Sequence, residues 1–148
     1  MNKAPNISSD NPKKISLGSW EILNSGNDIA ILAVGSMVDI GVKGIEYFVT
    51  KNNLNFTLIN CRFIKPIDNI MLKDVVSKHE NIFTLEEGVK IGGFGSSILE
   101  YISSNNLNSN VDILGIDDTF IEQGTRNELL DITGLSVESI CKRIEQYI

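Results

Sequence analysis

The sequence predicts an α/β domain with a five-stranded mixed sheet and helices on both of its faces. Strand-like and helix-like segments alternate along the chain, which is typical of a mostly parallel sheet. Residues 29–34 (IAILAV) are uninterrupted and apolar, as expected of a strand that is covered on both faces. The preceding turn, residues 24–27 (NSGN), is too short for a crossover, so the first two strands must run antiparallel if they are adjacent.

Length, composition and charge restrict the possible classes of protein. The 148 residues suggest one domain, and 42% hydrophobic with 22% charged residues is ordinary for a globular protein. A formal net charge of −6 argues against binding to nucleic acid or to an anionic membrane. Apolar runs stay well below the ~18 residues of a membrane span.

The chain begins with a polar segment. Residues 1–14 contain two prolines and a Ser-Ser-Asp-Asn cluster, so we expect a linker or flexible arm ahead of a domain at residues 15–148. This segment lacks the hydrophobic core of a signal peptide. Cys61 and Cys141 have no metal-binding spacing, which favours free thiols in a reducing cytoplasm, with disulfide pairing as the alternative.

The first strands lead into a helix. Trp20, Ile22 and Leu23 predict a short strand, and Gly35 with Ser36 ends the apolar strand that follows. Steps of four, three and four residues then predict one buried helical stripe, formed by Val38, Val42, Ile45 and Val49. Two glycines in this helix allow close approach to the sheet, at a cost to helix stability of roughly 1 kcal/mol each.

The middle of the chain predicts strand, helix, strand. Residues 56–60 (FTLIN) form the first of these strands, and Asp68 is placed to cap the helix that follows. That helix buries Leu72, Val75 and Val76. His79, the only histidine, lies near its end without a Ser or Cys motif beside it, which predicts a structural role.

A glycine loop follows the strand at residues 82–85. The strand ends in Glu86 and Glu87, glycines stand at 88, 92, 93 and 95, and Ser96 opens an apolar-periodic helix. Such loops can hold phosphate at a helix N-terminus. However, the spacing is not G-x-G-x-x-G, a Walker lysine is missing, and the two glutamates would repel an anion. We therefore interpret the glycines as a means of turning tightly and packing closely.

Known catalytic patterns are incomplete in this sequence. Glu86 and Glu87 are adjacent in a strand and point to opposite faces, so they cannot act together on one substrate.

After a strand at residues 111–116, Thr125 and Glu128 form a capping box. Arg126 stands where the helix dipole does not favour a cation, which predicts an acidic partner. A last helix begins after Ser136.

Four segments together resemble a known family. They are residues 28–37 (DIAILAVGSM), 61–68 (CRFIKPID), 77–96, and 118–125 (DTFIEQGT). In this order and spacing they resemble the C-terminal domain of the 1-deoxy-D-xylulose-5-phosphate synthases, which belong to the transketolase superfamily. The resemblance covers about residues 15–148. Asp117 departs from it, because a proline is common at that position.

The resemblance implies a fold and a parent activity. The fold is a three-layer α/β/α sandwich with a five-stranded, mostly parallel sheet and one antiparallel edge strand. In the parent enzyme, thiamine diphosphate with Mg²⁺ supports condensation of pyruvate with glyceraldehyde 3-phosphate. The product serves isoprenoid, thiamine and pyridoxal synthesis. The family holds its cofactor and metal in N-terminal and middle domains that have no counterpart here, so we expect this chain alone to be inactive and cofactor-free.

The resemblance also implies where this domain meets its partners. The partners are the N-terminal and middle domains of the same enzyme, which is expected to be a homodimer. Three connections should share the carboxyl edge of the sheet and dock there. The predicted docking residues are Arg62, Lys65, Glu86, Glu87, Gly92, Gly93, Phe94, Gly95, Asp118, Phe120, Gln123 and Arg126.

Two alternatives remain at the level of sequence. The first is the C-terminal domain of a transketolase or of a 2-oxo acid dehydrogenase β subunit, since the EEG…GG.G pattern is shared with both. The second is a stand-alone binding or regulatory module that kept the fold without the enzyme. The segments RFIKPID and FIEQGT favour the synthase.

Overall fold

The structure is a computed structural model that describes residues 14–52 and 54–147. Of the predicted N-terminal arm, only Lys14 lies within these residues. The strands are β1 (Glu21–Asn24), β2 (Ile29–Ala33), β3 (Phe56–Asn60), β4 (Asn81–Val89) and β5 (Asn110–Ile116). The helices are α1 (Met37–Asn52), α2 (Asn69–Lys78), α3 (Phe94–Ser104), α4 (Arg126–Ile132) and α5 (Val137–Ile144), followed by a 3₁₀ turn (Glu145–Tyr147).

The strands form one mixed sheet in the order β1-β3-β2-β4-β5. Strand β1 pairs antiparallel with β3, and the other three pairs are parallel. The predicted five-stranded, mostly parallel sheet with one antiparallel edge strand is therefore confirmed. The first two strands are not neighbours, because β3 lies between them.

Helices cover both faces of this sheet. Because side chains alternate along a strand, β2 sends Ile29, Ile31 and Ala33 to one face and Ala30 and Leu32 to the other. The first face packs against α1, α4 and α5. The second packs against α2 and α3. The three-layer arrangement predicted by the resemblance is thus confirmed, and β2 is buried along its whole length.

The turn between β1 and β2 passes over the start of β3. The Asn27 and Asp28 N–H groups both donate to the Asn55 carbonyl at 3.1 Å. In return, the Asp28 carboxylate accepts from the Asn55 N–H at 2.7 Å. A side chain on Gly26 has no space, because a Cβ there would lie 2.2 Å from the Asn55 carbonyl oxygen. This close crossing lets β3 enter between two strands that are joined by only four residues.

Helix α1 buries a different stripe from the one predicted. Met37, Ile40, Ile45 and Phe48 face the core, whereas Val42 is 38% exposed. Of the predicted stripe, Ile45 is buried and Val38 is partly buried against the same core, Val42 was wrong, and Val49 lies outside the described side chains. Both glycines of the helix are on the core-facing side, and a Cβ on Gly41 would lie 2.9 Å from Leu58 Cδ1. Helix α1 therefore approaches the sheet along the side that carries the two glycines.

The ends of α2 are held as its sequence predicts. The Asp68 carboxylate accepts from the Met71 N–H at 3.0 Å, which confirms the predicted cap, and it also accepts from the Trp20 N–H at 2.9 Å. His79 is buried, with Nδ1 3.0 Å from the Val75 carbonyl oxygen and Nε2 3.1 Å from that of Gly26. These contacts tie α2 to both ends of the β1 region.

The C-terminal helices close the first face. Thr125 and Glu128 form the predicted capping box at the start of α4. Asp112, in β5, accepts from Arg143 Nε in the last turn of α5 at 2.7 Å and from the Tyr147 hydroxyl in the 3₁₀ turn at 3.1 Å. These contacts fasten the end of the chain to β5. In the part of the chain that the structure describes, no helix is long and apolar enough to cross a membrane.

The two cysteines are free and lie in different layers. Cys61 belongs to the cluster under α2 and α3, and Cys141 to the cluster under α1 and α5, so the sheet separates them. The alternative of a disulfide between them is therefore excluded. Burial raises the pKa of Cys61 well above its usual range and raises the pKa of Cys141 to about 11.

Replacement of Gly26 by Ala should destabilise the domain by about 3 kcal/mol, because the start of β3 must move to admit the methyl group. The matched control is Gly44→Ala, where the new Cβ meets only Cys141 Sγ at 3.9 Å. That change should be neutral or stabilise by up to about 1 kcal/mol through helix propensity. Urea unfolding followed by the fluorescence of Trp20 measures both, and equal effects would contradict the proposed crossing.

Both thiols should resist modification in the folded protein, because a buried thiol with a raised pKa holds little thiolate at neutral pH. We expect Ellman's reagent to label neither cysteine over minutes at pH 7.5. Two equivalents should react once the chain is unfolded in guanidinium. Rapid labelling of one site under native conditions would show that its layer opens readily.

Candidate functional site

The carboxyl edge of the sheet gathers the predicted docking segments. Strands β2, β3, β4 and β5 are parallel, so the connections that follow them leave from the same edge. These connections are residues 34–36, 61–68, 90–93 and 117–125. Sites in open α/β sheets are usually built there.

Glu86 lies at the centre of this edge and is directed into the domain. Its side chain is only 5% exposed. One carboxylate oxygen accepts from the Phe94 N–H and the other from the Gly95 N–H, both at 2.8 Å. A negative charge at a helix N-terminus is favourable, and these bonds satisfy two donors that would otherwise be unpaired. Glu86 therefore caps α3 from a neighbouring strand.

This cap moves the start of α3 relative to the predicted one. The sequence pattern placed the helix start at Ser96, but the helix begins at Phe94. The N-cap residue, Gly93, has no side chain that could accept a hydrogen bond, so the Glu86 carboxylate supplies the acceptors instead. Phe94 is buried and packs edge-to-face with Trp20, at 6.0 Å between ring centroids. It is thus part of the core of this domain.

The glycines at 93 and 95 permit this approach. A Cβ on Gly93 would lie 2.4 Å from Glu86 Oε2 and 2.2 Å from the Val89 carbonyl oxygen. A Cβ on Gly95 would lie 2.6 Å from Thr84 Oγ1. The interpretation that these glycines serve close packing agrees with this geometry. Gly92 is exposed with a φ of 75°, where the loop turns.

The same geometry does not fit a cofactor diphosphate. The N–H groups at the start of α3 that could hold a phosphate already donate to the Glu86 carboxylate, whose charge would repel a second anion. Among residues 14–52 and 54–147, no cluster of three or more His, Cys, Asp or Glu side chains could hold a metal ion. The start of α3 therefore does not fit the diphosphate of the cofactor.

Glu87 points to the opposite face, as predicted from its position next to Glu86. It accepts from Arg126 at 2.9 Å and from the Ser36 hydroxyl. The Arg126 guanidinium, together with that hydroxyl, lowers the pKa of Glu87 from its ordinary value. The predicted acidic partner of Arg126 is thus Glu87. This half-exposed pair joins the ends of β2 and β4 to the start of α4.

Arg62 binds the segment by which the chain enters the domain. Its guanidinium donates to the Trp20 carbonyl at 3.1 Å and to the Ser19 carbonyl at 3.3 Å. It also lies 3.7 Å from the Glu21 carboxylate. Residues 19–21 are therefore held at the carboxyl edge, beside the β3–α2 connection.

The remaining predicted residues point outward. Lys65, Asp118, Phe120 and Gln123 are exposed and form no side-chain hydrogen bond or ion pair with the described residues. Phe120 is 97% exposed. The structure thus divides the predicted set into residues bonded inside the domain and residues free at its surface.

Two features of this edge were missed at the level of sequence. Lys90 forms an ion pair with Asp117 at 2.8 Å and joins the glycine loop to the β5–α4 loop. Ile91 and Ile64 are exposed near Lys65 and flank a cleft with it. Long-range pairing leaves no local signal, but an apolar residue inside a glycine loop is visible in the sequence and could have been noted.

Comparison with known proteins identifies the family of this domain. The family model for "Transketolase, C-terminal domain" matches residues 18–140. The chain is 39% identical over 137 residues to a 1-deoxy-D-xylulose-5-phosphate synthase of Geobacillus sp. (strain WCH70), covering 92% of this chain and 22% of the relative. It is 36% identical over 132 residues to the synthase of Aquifex aeolicus (strain VF5), covering 89% and 21%.

Two solved structures are similar in fold. One is described as "Split gene transketolase, inactive beta4 tetramer", with a TM-score of 0.82 and 24% identity over 90% of this chain and 43% of that one. The other is a transketolase from Campylobacter jejuni, with a TM-score of 0.65 and 14% identity over 87% of this chain and 18% of that one. The chain spans about a fifth of the length of the curated relatives it matches. With its fold and its family model in agreement, the chain belongs to the transketolase C-terminal domain family.

Proposed function

We propose that this chain is the C-terminal assembly domain of a 1-deoxy-D-xylulose-5-phosphate synthase. The observation that carries the proposal is the identity of 36–39% with such synthases across about nine-tenths of the chain. The motifs RFIKPID and FIEQGT, which favour the synthase over other family members, both lie at the carboxyl edge.

The chemistry of the proposed enzyme belongs to parts that this chain does not contain. Thiamine diphosphate, held with Mg²⁺, supports the decarboxylation of pyruvate and the transfer of its two-carbon unit to glyceraldehyde 3-phosphate. In this chain, Glu86 fills the N-terminus of α3, which lies at the glycine loop and could otherwise take a diphosphate. We infer an inactive domain in isolation. We further infer a cytoplasmic location for the parent enzyme, consistent with two buried free thiols. From the family we also infer that the parent enzyme is a homodimer.

The division of the carboxyl edge supports a docking role. Glu86, Phe94 and Arg62 organise the edge from within, while Lys65 and Phe120 project from it. The chain also enters the domain at this edge, because Arg62 holds residues 19–21 there. A preceding domain joined through this segment would therefore lie next to the β3–α2 connection and its exposed Lys65, and would reach Phe120 by covering the carboxyl edge.

The proposal is tested by supplying the missing part. The chain would be co-expressed with the Geobacillus relative from which the matching region has been deleted, so that neither part must fold alone. We expect a stable complex that forms 1-deoxy-D-xylulose 5-phosphate from pyruvate and glyceraldehyde 3-phosphate, and no turnover by the chain alone. Turnover by the chain alone, or micromolar binding of thiamine diphosphate to it, would refute the proposal.

The two glutamates should differ sharply in the isolated domain. Glu86→Ala leaves two buried N–H groups unpaired and should cost about 3 kcal/mol of unfolding free energy. Glu86→Gln keeps one acceptor and should cost less. Glu87→Gln weakens only a half-exposed pair and should cost about 1 kcal/mol or less.

Urea unfolding measures these differences, with Lys65→Ala as the surface control, expected within about 0.5 kcal/mol of the unchanged chain. If Glu86→Ala leaves domain stability unchanged and weakens only the complex, Glu86 docks rather than caps.

A further inference from the structure

The β5–α4 loop, residues 117–125, presents an apolar anchor to solvent. Phe120 is 97% exposed and Ile132, in the last turn of α4, is 74% exposed. A cleft of about 300 Å³ lies between them, with Ile116 and Ile121 among its walls. Isolated exposed apolar residues are ordinary, but an almost fully exposed aromatic side chain beside a cleft lined by both polar and apolar residues is typical of an interaction site.

The backbone holds this anchor in place at both ends of the loop. At its start, Asp117 pairs with Lys90 at 2.8 Å, and its carbonyl accepts from the Thr119 N–H at 2.7 Å. At its end, Thr125 and Glu128 cap α4 reciprocally. These contacts fix both ends of the loop, which limits the backbone conformational entropy that is lost on binding.

The charges around Phe120 specify the chemistry of the partner. Asp118 and Glu122 flank it, are exposed, and form no ion pair with the described residues. Two cations that border the loop, Lys90 and Arg126, are already paired with Asp117 and Glu87. Charge complementarity therefore calls for Lys or Arg side chains opposite the loop.

We propose that this loop is the principal anchor of the domain, with Phe120 inserted into an apolar pocket that Lys or Arg residues surround on the thiamine-binding part of the enzyme. This inference rests on the proposed function and adds the specific contact and its chemistry. An aromatic anchor with a charged rim is the arrangement in which a few residues carry most of the binding energy.

A second copy of this chain is a poor occupant of the same site. The chain carries a formal net charge of −6, so two copies repel each other, and the loop itself is acidic. The larger part of the enzyme corresponds to about four-fifths of the length of the relatives, and the chain enters the domain at this same edge. The tether and the loop share the carboxyl edge at opposite ends of the strand order, so a partner that covers this edge contacts both.

The test uses the co-expressed complex, captured through a tag on the larger part, and follows the rate at which the chain dissociates during washing. Phe120→Ala should speed dissociation at least tenfold, since interface truncations act mainly on the dissociation rate. The double variant Asp118→Asn, Glu122→Gln should slow association and reduce its dependence on salt. Leu99→Ala, an exposed apolar site on the outer side of α3, is the matched control and should change neither rate.

The outcomes separate the two proposals. If the complex forms normally and Phe120→Ala leaves its dissociation rate unchanged, this inference is overturned and the proposed function stands. Failure of the unchanged chain to form the complex overturns both. Sedimentation of the chain alone completes the test: self-association that Phe120→Ala abolishes would assign the loop to a second copy instead.

Discussion

The carboxylate of Glu86 at the start of α3 is the contact on which the carboxyl edge depends. It lies at the end of a central strand, is almost fully buried, and accepts from two consecutive N–H groups. For it to fit, the helix must begin two residues before its apolar pattern and Gly93 must lack a side chain, while Gly95 lets the helix approach Thr84 and Ile113. Phe94 is then carried into the core beside Trp20. One buried charge thus sets the position of the helix, the loop and part of the core.

Much of the fold followed from local patterns, and the structure confirms them where the physics is local. The buried strand β2 is visible as an uninterrupted apolar run, and the caps by Asp68 and Thr125 follow from side chains that bond within three residues. These signals need no knowledge of the rest of the chain. The resemblance of four separated motifs then implied one antiparallel edge strand, which the alternation alone left open.

The errors share a different cause, because they depend on contacts between distant residues. The insertion of β3 between β1 and β2 requires the crossing at Gly26, which only Asn55 explains. In α1, hydrophobicity predicted the stripe, but the glycines set the face that approaches the sheet, so Val42 turned outward. For the candidate site, the motifs fall at the carboxyl edge, and their docking role stays a prediction. They could not show which residues were bonded inside the domain.

The filled helix terminus fits the proposed docking role of this edge better than it fits ligand binding. Open α/β sheets offer helix N-termini at their carboxyl edges, and these attract anions from solvent. Here the domain supplies its own anion, so the N–H groups of Phe94 and Gly95 are satisfied before any partner is met. With these two donors already paired, another protein surface can cover the start of α3 without leaving them unsatisfied. The exposed side chains around it, Lys65 and Phe120 among them, are then free to define the contact.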